Sequence, residues 1–416
     1  MKIGNIIVGQ SGGPTAVINS SLAGVFKTAK ELGAKNVYGM IHGIEGLLKE
    51  RYVNMSEHIK CELDIELLKR TPSAYLGSCR YCLPSVEKDE AVYKKLFEIL
   101  KNLGIEIFLY IGGNDSMDSI HKLSNYAAKI GSKIRFMGVP KTIDNDLAEI
   151  DHTPGFGSAA KYIGTTMKEI ISDAHVNGKE FVTIVEIMGR NTGWLTASSA
   201  IARMDDGRGP DLIYVPEIDF SVEDFLKKVG ELIKLRKTVV IAVSEGIKTK
   251  EGKYVCELGD TGVDYKDSFG HKQLTGTASY LSALCAGKFK CKTRAIEFST
   301  IQRCASHISS ATDINEAFQA GGFGVRMAAE GNTAKMVVLD RLSDNPYSIG
   351  FRACDIAKIA NIEKKFPTNW LSNDDNLVTK EFLTYLKPLI QGELAPIMVD
   401  GLPRHLFLNR EAVKGK

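Results

Sequence analysis

The sequence predicts an α/β protein with mainly parallel sheets. Short runs rich in Val, Ile, Leu and Phe recur along the chain, with helix-length amphipathic segments between them. Continuous apolar runs of this kind are typical of strands buried on both faces of a sheet, and their alternation with helices indicates βαβ units. In chain order, the predicted strands are Ile3 to Val8, Ile107 to Tyr110, Ile134 to Val139, Phe181 to Glu186, Leu212 to Val215, Thr238 to Val243 and Met336 to Leu339.

Length and composition predict two lobes. The chain has 416 residues, of which 44% are hydrophobic and 25% charged, so it can bury more than one core. Its net charge of +3 gives no general field that would favour nucleic acid or an anionic membrane. The first residues lack the features of a secretory signal, and no apolar run is long enough to span a bilayer. We therefore expect a cytoplasmic protein without nucleic-acid or membrane partners.

The eight cysteines are irregularly spaced, as is typical of buried thiols in a reducing compartment. Cys79 and Cys82 form a CxxC pair, but no second pair of Cys or His follows at the spacing of a zinc site. The flanking "LGSCRYCLP" also lacks a redox-helix context. We expect neither a metal nor a redox role for this pair.

Glycine-containing polar segments directly follow five of the predicted strands. Ligands of parallel α/β sheets bind outside the carboxyl ends of the strands, so these segments are the candidate functional loops. They read "GQSGGPTAVINSS" after Val8, "IGGNDSM" after Tyr110, "GVPKTIDNDL" after Met137, "IMGRNTGW" after Glu186 and "SEGIK" after Val243.

The first two loops are candidate phosphate and metal sites. Glycines in "GQSGGPTAV" would let backbone N–H groups point at an anion, although the same residues also fit a structural turn. In "IGGNDSM", Gly112 and Gly113 would admit a phosphate, and Asn114 and Asp115 would supply oxygen ligands for Mg²⁺. The alternative is a plain strand–helix turn with Asp115 or Ser116 as the helix N-cap.

The third loop, "PKTIDND", points to phosphoryl transfer. It places Lys141, Thr142 and two carboxylates, Asp144 and Asp146, directly after a buried strand. A lysine offers a compact positive charge for a phosphate, and a carboxylate can accept the proton of an attacking hydroxyl. Further along, Arg190, Glu245, Arg294 and Arg303 are candidates for gripping phosphate and sugar hydroxyls, although each alone is more typical of a surface or ion-pair residue.

Together, seven ordered motifs resemble the phosphofructokinase family. They are "SGGPTAVIN", "YLGSCR", "IGGNDS", "PKTIDND", "VEIMGR", "VSEG" and "TRAIEFSTIQR", and they cover roughly Ile3 to Ala328. The segment "DSFGHKQL" also resembles part of the family's pyrophosphate-using branch. The resemblance implies two Rossmann-like lobes with the active site in the cleft between them, plus a C-terminal extension. It assigns residues 1–157 with about 302–335 to the phosphoryl-donor lobe, 158–301 to the sugar-phosphate lobe and 336–416 to the extension.

The resemblance also implies phosphorylation of the C1 hydroxyl of fructose 6-phosphate, with Asp144 as the general base. Arg190 would face the transferred phosphoryl group, and Arg294 would reach in from a neighbouring subunit of a homodimer or homotetramer. The other substrate-binding positions would be Thr142, Ile143, Met188, Gly189, Glu245, Thr300 and Arg303. The donor would contact Gly12, Gly13, Arg80 and Gly113, and Mg²⁺ would lie at Asn114 and Asp115.

Two positions favour pyrophosphate over ATP as the donor. The ATP-using branch has glycine where this chain has Asp115 and Lys141. A carboxylate about 4 Å from a nucleotide α-phosphate would cost on the order of 1 to 4 kcal/mol, whereas pyrophosphate ends before that point. Lys141 would in turn neutralise charge on the transferred group and on the departing phosphate. Because that leaving group is inorganic phosphate, the reaction should run in both directions.

Three departures from the family pattern bear on the details. The usual metal aspartate is Asn114, and an arginine that reaches the neighbour's 6-phosphate is replaced by Phe181, with Lys179 nearby. A histidine before the last sugar-binding arginine is replaced by Thr300. Sedoheptulose 7-phosphate is therefore a candidate second acceptor.

Three other functions are considered. One is an ATP-dependent phosphofructokinase that tolerates Asp115 and Lys141. Another is a catalytically silent sugar-phosphate-binding subunit. Asn114 favours this alternative, whereas the retained base and phosphate-binding residues disfavour it. A nicotinamide dehydrogenase is disfavoured because the GxGxxG spacing is missing.

Overall fold

The computed structural model describes residues 2–176, 178–259, 274–372, 377–409 and 413. The strands are β1 Asn5–Gln10, β2 Val37–Met40, β3 Tyr52–Asn54, β4 Ile105–Gly112, β5 Arg135–Pro140, β6 Phe181–Ile187, β7 Leu212–Tyr214, β8 Thr238–Ser244, β9 Lys292–Glu297, β10 Lys335–Asp344, β11 Tyr347–Asp355, β12 Met398–Val399 and β13 Leu402–Pro403. All seven strands predicted from the sequence are confirmed, with bounds that shift by a few residues.

The α-helices are α1 Ile18–Glu31, α2 Gly43–Leu48, α3 Glu62–Arg70, α4 Glu90–Asn102, α5 Asn114–Lys129, α6 Phe156–Ala174, α7 Trp194–Ser198, α8 Val222–Arg236, α9 Thr277–Phe289, α10 Ile301–Cys304, α11 Ala311–Ala329 and α12 Lys380–Leu386. Short 3₁₀ helices cover Met55–Glu57, Ser199–Ala202, Val255–Leu258, Ser306–Ile308, Ile356–Lys358, Thr368–Trp370 and Lys387–Ile390. In the described part of the chain, none of the helices is both long enough and apolar enough to cross a bilayer.

The described residues fall into two compact units. The first contains Met1–Ser158, Arg303–Glu363 and Gln391–Lys416, and the second contains Ala159–Gln302 and Lys364–Ile390. The segment predicted as one extension from residue 336 therefore divides between the units. Its first strand, β10, belongs to the main sheet of the first unit because Lys335 and Met336 pair in parallel with β5.

The first unit is built on a seven-stranded sheet in the order β11-β10-β5-β4-β1-β2-β3. The strands β2, β1, β4, β5 and β10 run parallel, whereas β3 and β11 pair antiparallel at the two edges. The apolar residues of these strands are buried, in keeping with the mainly parallel α/β class predicted from the sequence. The carboxyl ends of β1, β4 and β5 therefore lie side by side at one edge of the sheet, with the glycine loops following them.

Helices α1 and α11 of this unit pack in close contact through glycine. A Cβ added to Gly24 would lie 1.9 Å from the carbonyl oxygen of Phe318, and one added to Gly321 would lie 2.0 Å from that of Ser21. Both distances are far inside van der Waals contact, so the backbones approach closely only because these positions have no side chain. This contact fixes α1, whose first turn follows the loop after β1.

The second unit has a four-stranded, entirely parallel sheet in the order β7-β8-β6-β9. Its central strands β6 and β8 are fully buried, whereas β9 is an edge strand with Lys292 and Arg294 exposed. The loops after β6 and β8 follow adjacent strands, which brings "IMGRNTGW" and "SEGIK" together.

Candidate active site

The loop after β1 and the segment around Cys79 lie against each other in the first unit. The N–H of Gly12 donates to the carbonyl of Cys79 at 3.1 Å, and Ser78 Oγ donates to the carbonyl of Gly12 at 2.6 Å. Gly12 has φ +76°, a conformation that favours glycine. These contacts bring Arg80, which is exposed, next to the glycine loop.

Lys141 is buried behind this glycine loop. Its Nζ donates to the carbonyl of Gly13 at 2.7 Å, and a Cβ added to Gly12 would lie 3.2 Å from the same Nζ. The pKa of Lys141 is lowered to about 8, mainly by burial; Asp144 and Asp146 raise the pKa, whereas Arg303 and Arg80 add to its lowering. The residues around Lys141 thus form a compact group of cations and carboxylates.

Arg303 lies on the other side of the same loop. A Cβ added to Gly13 would be 3.2 Å from an Nη of Arg303. The residue was predicted to grip the sugar 6-phosphate, and the structure places its guanidinium beside Gly13 and within electrostatic reach of Lys141. At this end of the sheet two cations, Lys141 and Arg303, therefore lie beside the glycine loop.

The Asp144 carboxylate is held by its own loop. Thr142 Oγ1 donates to Asp144 Oδ2 at 3.2 Å and accepts from the Asp144 N–H at 3.1 Å. The next residue, Asn145, is fully buried with φ +55°, and its Oδ1 accepts from the N–H of Thr153 at 3.0 Å. Thr153 Oγ1 donates in turn to the carbonyl of Thr142 at 2.8 Å. Asp144 is thus fixed in one orientation, while Ile143 beside it is buried.

Asn114 and Asp115 form the first turn of α5, after Gly113. The Asp115 side chain is exposed. The Asn114 side chain, predicted as a magnesium ligand, is hydrogen-bonded to the backbone of two residues. Its Oδ1 accepts from the N–H of Asn361 at 2.5 Å, and its Nδ2 donates to the carbonyl of Ile362 at 2.8 Å. Within the described residues, no group of three His, Cys, Asp or Glu is arranged to hold a metal ion.

In the second unit, the loops after β6 and β8 bring four predicted residues together. The N–H of Gly189 points at Oε1 of Glu245 at 3.5 Å, and the N–H of Glu245 donates to the carbonyl of Ile187 at 3.0 Å. Ser244 Oγ also donates to the carbonyl of Gly189, whose φ of +149° suits glycine. Met188 and Arg190 flank this glycine and are partly exposed.

Arg294 is exposed on the edge strand β9, and Thr300 is exposed in the turn after it. Two residues further on, Gln302 Oε1 accepts from the N–H of Met188 at 3.3 Å, so this turn lies near the loop after β6. Arg294 pairs with Asp173 at 2.8 Å, and its guanidinium lies over the ring of Phe181 at 5.4 Å. The phenylalanine at this position therefore supports an arginine through a cation–π contact. Both side chains of the Arg294–Asp173 pair are largely exposed, so the pair is open to exchange for another anion.

Comparison with known proteins decides the family. The phosphofructokinase family model matches residues 5–321. The chain belongs to the phosphofructokinase family. A pyrophosphate–fructose 6-phosphate 1-phosphotransferase of Xanthomonas campestris is 40% identical over 100% of this chain and 99% of its own length. One from Halomonas elongata is 37% identical over 99% of this chain and 98% of its own. The crystal structure of the pyrophosphate-dependent phosphofructokinase from Marinobacter aquaeolei matches with a TM-score of 0.86 and 34% identity, over 100% of this chain and 97% of that one.

The family model ends before several residues that contact the site loops. Asn361 and Ile362, which hold Asn114, lie beyond it, as does Phe366, whose N–H donates to Glu217 Oε1 at 3.0 Å. The same Oε1 accepts from the N–H of Gly193 at 2.9 Å, and burial raises the pKa of Glu217. Sequence reasoning missed these residues because nothing in their own segment marks them; their partners are defined only by folding.

Proposed function

We propose that the protein transfers a phosphoryl group from pyrophosphate to the C1 hydroxyl of fructose 6-phosphate, giving fructose 1,6-bisphosphate and phosphate. The single observation that carries this proposal is Lys141, a buried cation against the glycine loop beside a fixed carboxylate, Asp144. The names of the full-length relatives support the donor and the acceptor.

The first unit binds pyrophosphate in this proposal. The backbone of Gly12, Gly13 and Gly113 admits the phosphates, and the cations Lys141, Arg80 and Arg303 balance their charge. Lys141 is suited to the transferred group because it is already desolvated and hydrogen-bonded in place, so little reorganisation is needed as charge develops.

The second unit binds the sugar phosphate. Met188 and Gly189 contact the sugar, Glu245 accepts from its hydroxyls, and Arg190 faces the transferred phosphoryl group. Thr142, Ile143, Thr300 and Arg303 are the further candidates on the acceptor side. Arg294 serves the 6-phosphate of a neighbouring subunit in a homodimer or homotetramer, and its place on an exposed edge strand supports that role.

Asp144 is the general base. Thr142 donates to one carboxylate oxygen and so orients the Asp144 carboxylate, which accepts the proton of the C1 hydroxyl as the hydroxyl oxygen attacks phosphorus. The P–O bond to the departing phosphate breaks as the new P–O bond forms, and Lys141 neutralises charge on the leaving group.

Magnesium fits the donor loop through Asp115 and not through Asn114. The Asn114 amide is engaged with the backbone of residues 361 and 362, whereas the Asp115 carboxylate is exposed. One carboxylate with substrate oxygens and water is a common way to hold this ion. When bound, Mg²⁺ would neutralise charge on the phosphate oxygens.

The test is fructose 1,6-bisphosphate formation from fructose 6-phosphate and Mg²⁺ with equal pyrophosphate or ATP, with Asp144→Asn as the inactive control. We expect turnover with pyrophosphate alone and its loss in the variant. Turnover with ATP would overturn the donor, and inactivity with both donors would favour a silent subunit. A parallel assay with sedoheptulose 7-phosphate measures the second acceptor.

A further inference from the structure

Six consecutive residues, Asn361–Phe366, contact the loops that carry the proposed chemistry; we name this segment the strap. Its first residues lie in the first unit. The backbone of Asn361 and Ile362 engages both ends of the Asn114 amide, and Asn361 Nδ2 donates to Asp118 Oδ1 at 3.0 Å. Asn114 and Asp118 are one turn apart on α5, so the strap is fixed to the helix whose first turn contains Asp115.

The strap also meets the loop of the general base. Glu363 forms an isolated antiparallel bridge with Leu147, three residues after Asp144. Leu147 is completely buried, so this bridge holds the end of the "TIDND" turn at a fixed point of the core. In the first unit the strap thus contacts two loops, one carrying the proposed magnesium ligand and one carrying the base.

The last three residues of the strap contact the sugar loop in the second unit. Lys365 Nζ donates to the carbonyl of Asn191 at 2.9 Å, directly after Arg190. The carbonyl of Lys364 accepts from Trp194 Nε1 at 3.4 Å, and the Lys364 ammonium lies 5.0 Å from the centre of the Trp194 ring. This end of the strap is therefore anchored to the residues that follow the proposed phosphoryl-facing arginine.

Glu217 also connects the strap to the sugar loop. One of its carboxylate oxygens accepts from the N–H groups of both Gly193, in the sugar loop, and Phe366, in the strap. The Phe366 ring is buried and packs edge-on against Trp194, with centroids 5.2 Å apart. Phe366 and Gly193 therefore share one carboxylate oxygen, and movement of either residue would remove one of its hydrogen bonds.

We propose that the strap is a positioning element that couples the donor loop to the sugar loop, so that pyrophosphate binding at the first changes the order of the second. The proposal rests on the proposed function. Its physical basis is a short covalent connection: the strap has six residues, which span at most about 20 Å when fully extended, and it is hydrogen-bonded to α5 at one end and to the sugar loop at the other. Ordering one loop thereby reduces the entropy cost of ordering the other.

The chain contains a reporter for this coupling. Its two tryptophans, Trp194 and Trp370, lie together in the second unit with ring centroids 5.9 Å apart, and Trp194 contacts the strap directly. Pyrophosphate does not fluoresce or absorb in the region of tryptophan emission. Any change in that emission on adding magnesium pyrophosphate, without sugar, therefore reports on the sugar-loop side.

The experiment measures tryptophan emission and calorimetric binding during titration with magnesium pyrophosphate. The variants are Lys365→Ala, which removes the contact with Asn191, and Lys358→Ala, which removes another exposed lysine on the same part of the chain as a control. We expect an emission change in the wild type and in Lys358→Ala, and its loss in Lys365→Ala while pyrophosphate still binds. Lys365→Ala should also raise KM for fructose 6-phosphate several-fold with kcat little changed.

Three other results would contradict the proposal, each at a different step. Binding of pyrophosphate without an emission change in the wild type overturns the coupling. An emission change that persists in Lys365→Ala shows that the strap does not transmit it. Absence of pyrophosphate binding in calorimetry, together with absence of turnover, removes the proposed function and the strap proposal with it. Thermal unfolding of both variants checks that the exposed substitutions leave the fold intact.

Discussion

The charge of Lys141 changes with pH in the range just above neutrality. Burial lowers its pKa to about 8, so in the free enzyme the ammonium loses its proton as the pH rises through that value. Only the charged form can balance a phosphate, so we expect kcat/KM for pyrophosphate to fall about tenfold per pH unit above about 8. Bound pyrophosphate favours the charged form of Lys141. The fall in kcat at alkaline pH should therefore occur at a higher pH than the fall in kcat/KM.

The matched variant for this prediction is Lys141→Arg, whose guanidinium stays charged throughout. Pyrophosphate itself titrates in alkaline solution, and that contribution is common to both proteins. If kcat/KM for pyrophosphate falls above about pH 8 in the wild type but not in the variant, the fall is caused by deprotonation of Lys141. If kcat/KM falls in the same way in both proteins, the fall is caused by titration of the substrate.

Asp115 is predicted to exclude ATP by charge and by bulk, and two substitutions separate these effects. Asp115→Asn removes the charge at nearly constant size, whereas Asp115→Gly removes both. We expect ATP turnover to be gained weakly in the first and more strongly in the second, and pyrophosphate turnover to fall in both. The glycine will cost about 1 kcal/mol of stability in the first turn of α5. Initial rates with each donor test this, and ATP turnover absent from both variants would show that Asp115 is not the donor gate.

Asn114 shows the limit of residue-level reasoning from sequence. Its place in "GGNDS" predicted a metal ligand, because its side-chain oxygen follows two glycines that would admit a phosphate. The groups that do compete are the backbone of residues 361 and 362, separated from it by 247 and 248 positions in the chain. Contacts between residues so far apart in the chain are determined by the fold. The local motif therefore could not reveal which groups bind the Asn114 side chain.

At the scale of elements, a buried ionic network fixes the segment that follows the base loop. His152 lies between two carboxylates, with Nδ1 2.7 Å from Asp151 and Nε2 2.7 Å from Glu316 on α11. Arg341 on β10 pairs with Asp151, and Tyr347 OH on β11 donates to Glu316 at 2.6 Å. The network therefore connects α11, β10 and the edge strand β11 to the residues beside Thr153.

This network predicts a loss of stability in alkaline solution. Burial alone would lower the pKa of His152, but Glu316 and Asp151 outweigh it and raise the pKa to about 9. A group whose pKa is higher in the folded state contributes fully below its unfolded value, about 6.5, and loses that contribution as the pH rises through 9. The contribution is on the order of 3 kcal/mol.

The measurement is the unfolding of the wild type and of His152→Gln at pH 6 and at pH 9.5. We expect the variant to be clearly less stable at pH 6 and nearly equal to the wild type at pH 9.5. The exposed His307→Gln serves as the control, with little difference at either pH. An equal deficit of His152→Gln at both pH values would mean that the loss comes from packing and not from the charge.

The strands show why some elements could be predicted and others could not. Strands such as β4 and β8 are buried on both faces, and their apolar runs stand out in the sequence. Strand β9 reads "KTRAIE" and was missed because an edge strand needs only part of its surface to be apolar. Strand β11 was missed for a similar reason, since it pairs at the antiparallel edge with most of its side chains only partly buried.

At the scale of the whole molecule, the chain crosses between its units more often than the sequence indicated. The motifs predicted one early crossing near residue 157 and one return near 302, and the units change at residues 158 and 303. The later passage through Lys364–Ile390 was not predicted. It holds Phe366, Trp370 and Phe382 against Trp194, and an aromatic contact of this kind leaves no periodic or motif signal in the sequence.

The proposal that Arg294 completes the active site of a neighbouring subunit can be tested by mixing two inactive variants. Asp144→Asn removes the base, and Arg294→Ala removes the cation predicted to serve the neighbouring subunit. If each site takes Asp144 from one subunit and Arg294 from the other, a mixed dimer contains one doubly altered site and one intact site. Co-expression with two affinity tags should then restore about a quarter of wild-type activity in a randomly assorted dimer.

The control for subunit exchange is a mixture of Asp144→Asn with Lys141→Met. Both positions lie in the first unit of the same chain, and the pKa of Lys141 responds to Asp144. Every site in that mixture lacks one of the two groups, so activity should not return. Recovery with Arg294→Ala but not with Lys141→Met places Arg294 in the neighbour's site. No recovery in either mixture, with mixed dimers shown by the tags, would mean that each subunit completes its own site and that the exposed Arg294–Asp173 pair has only a surface role.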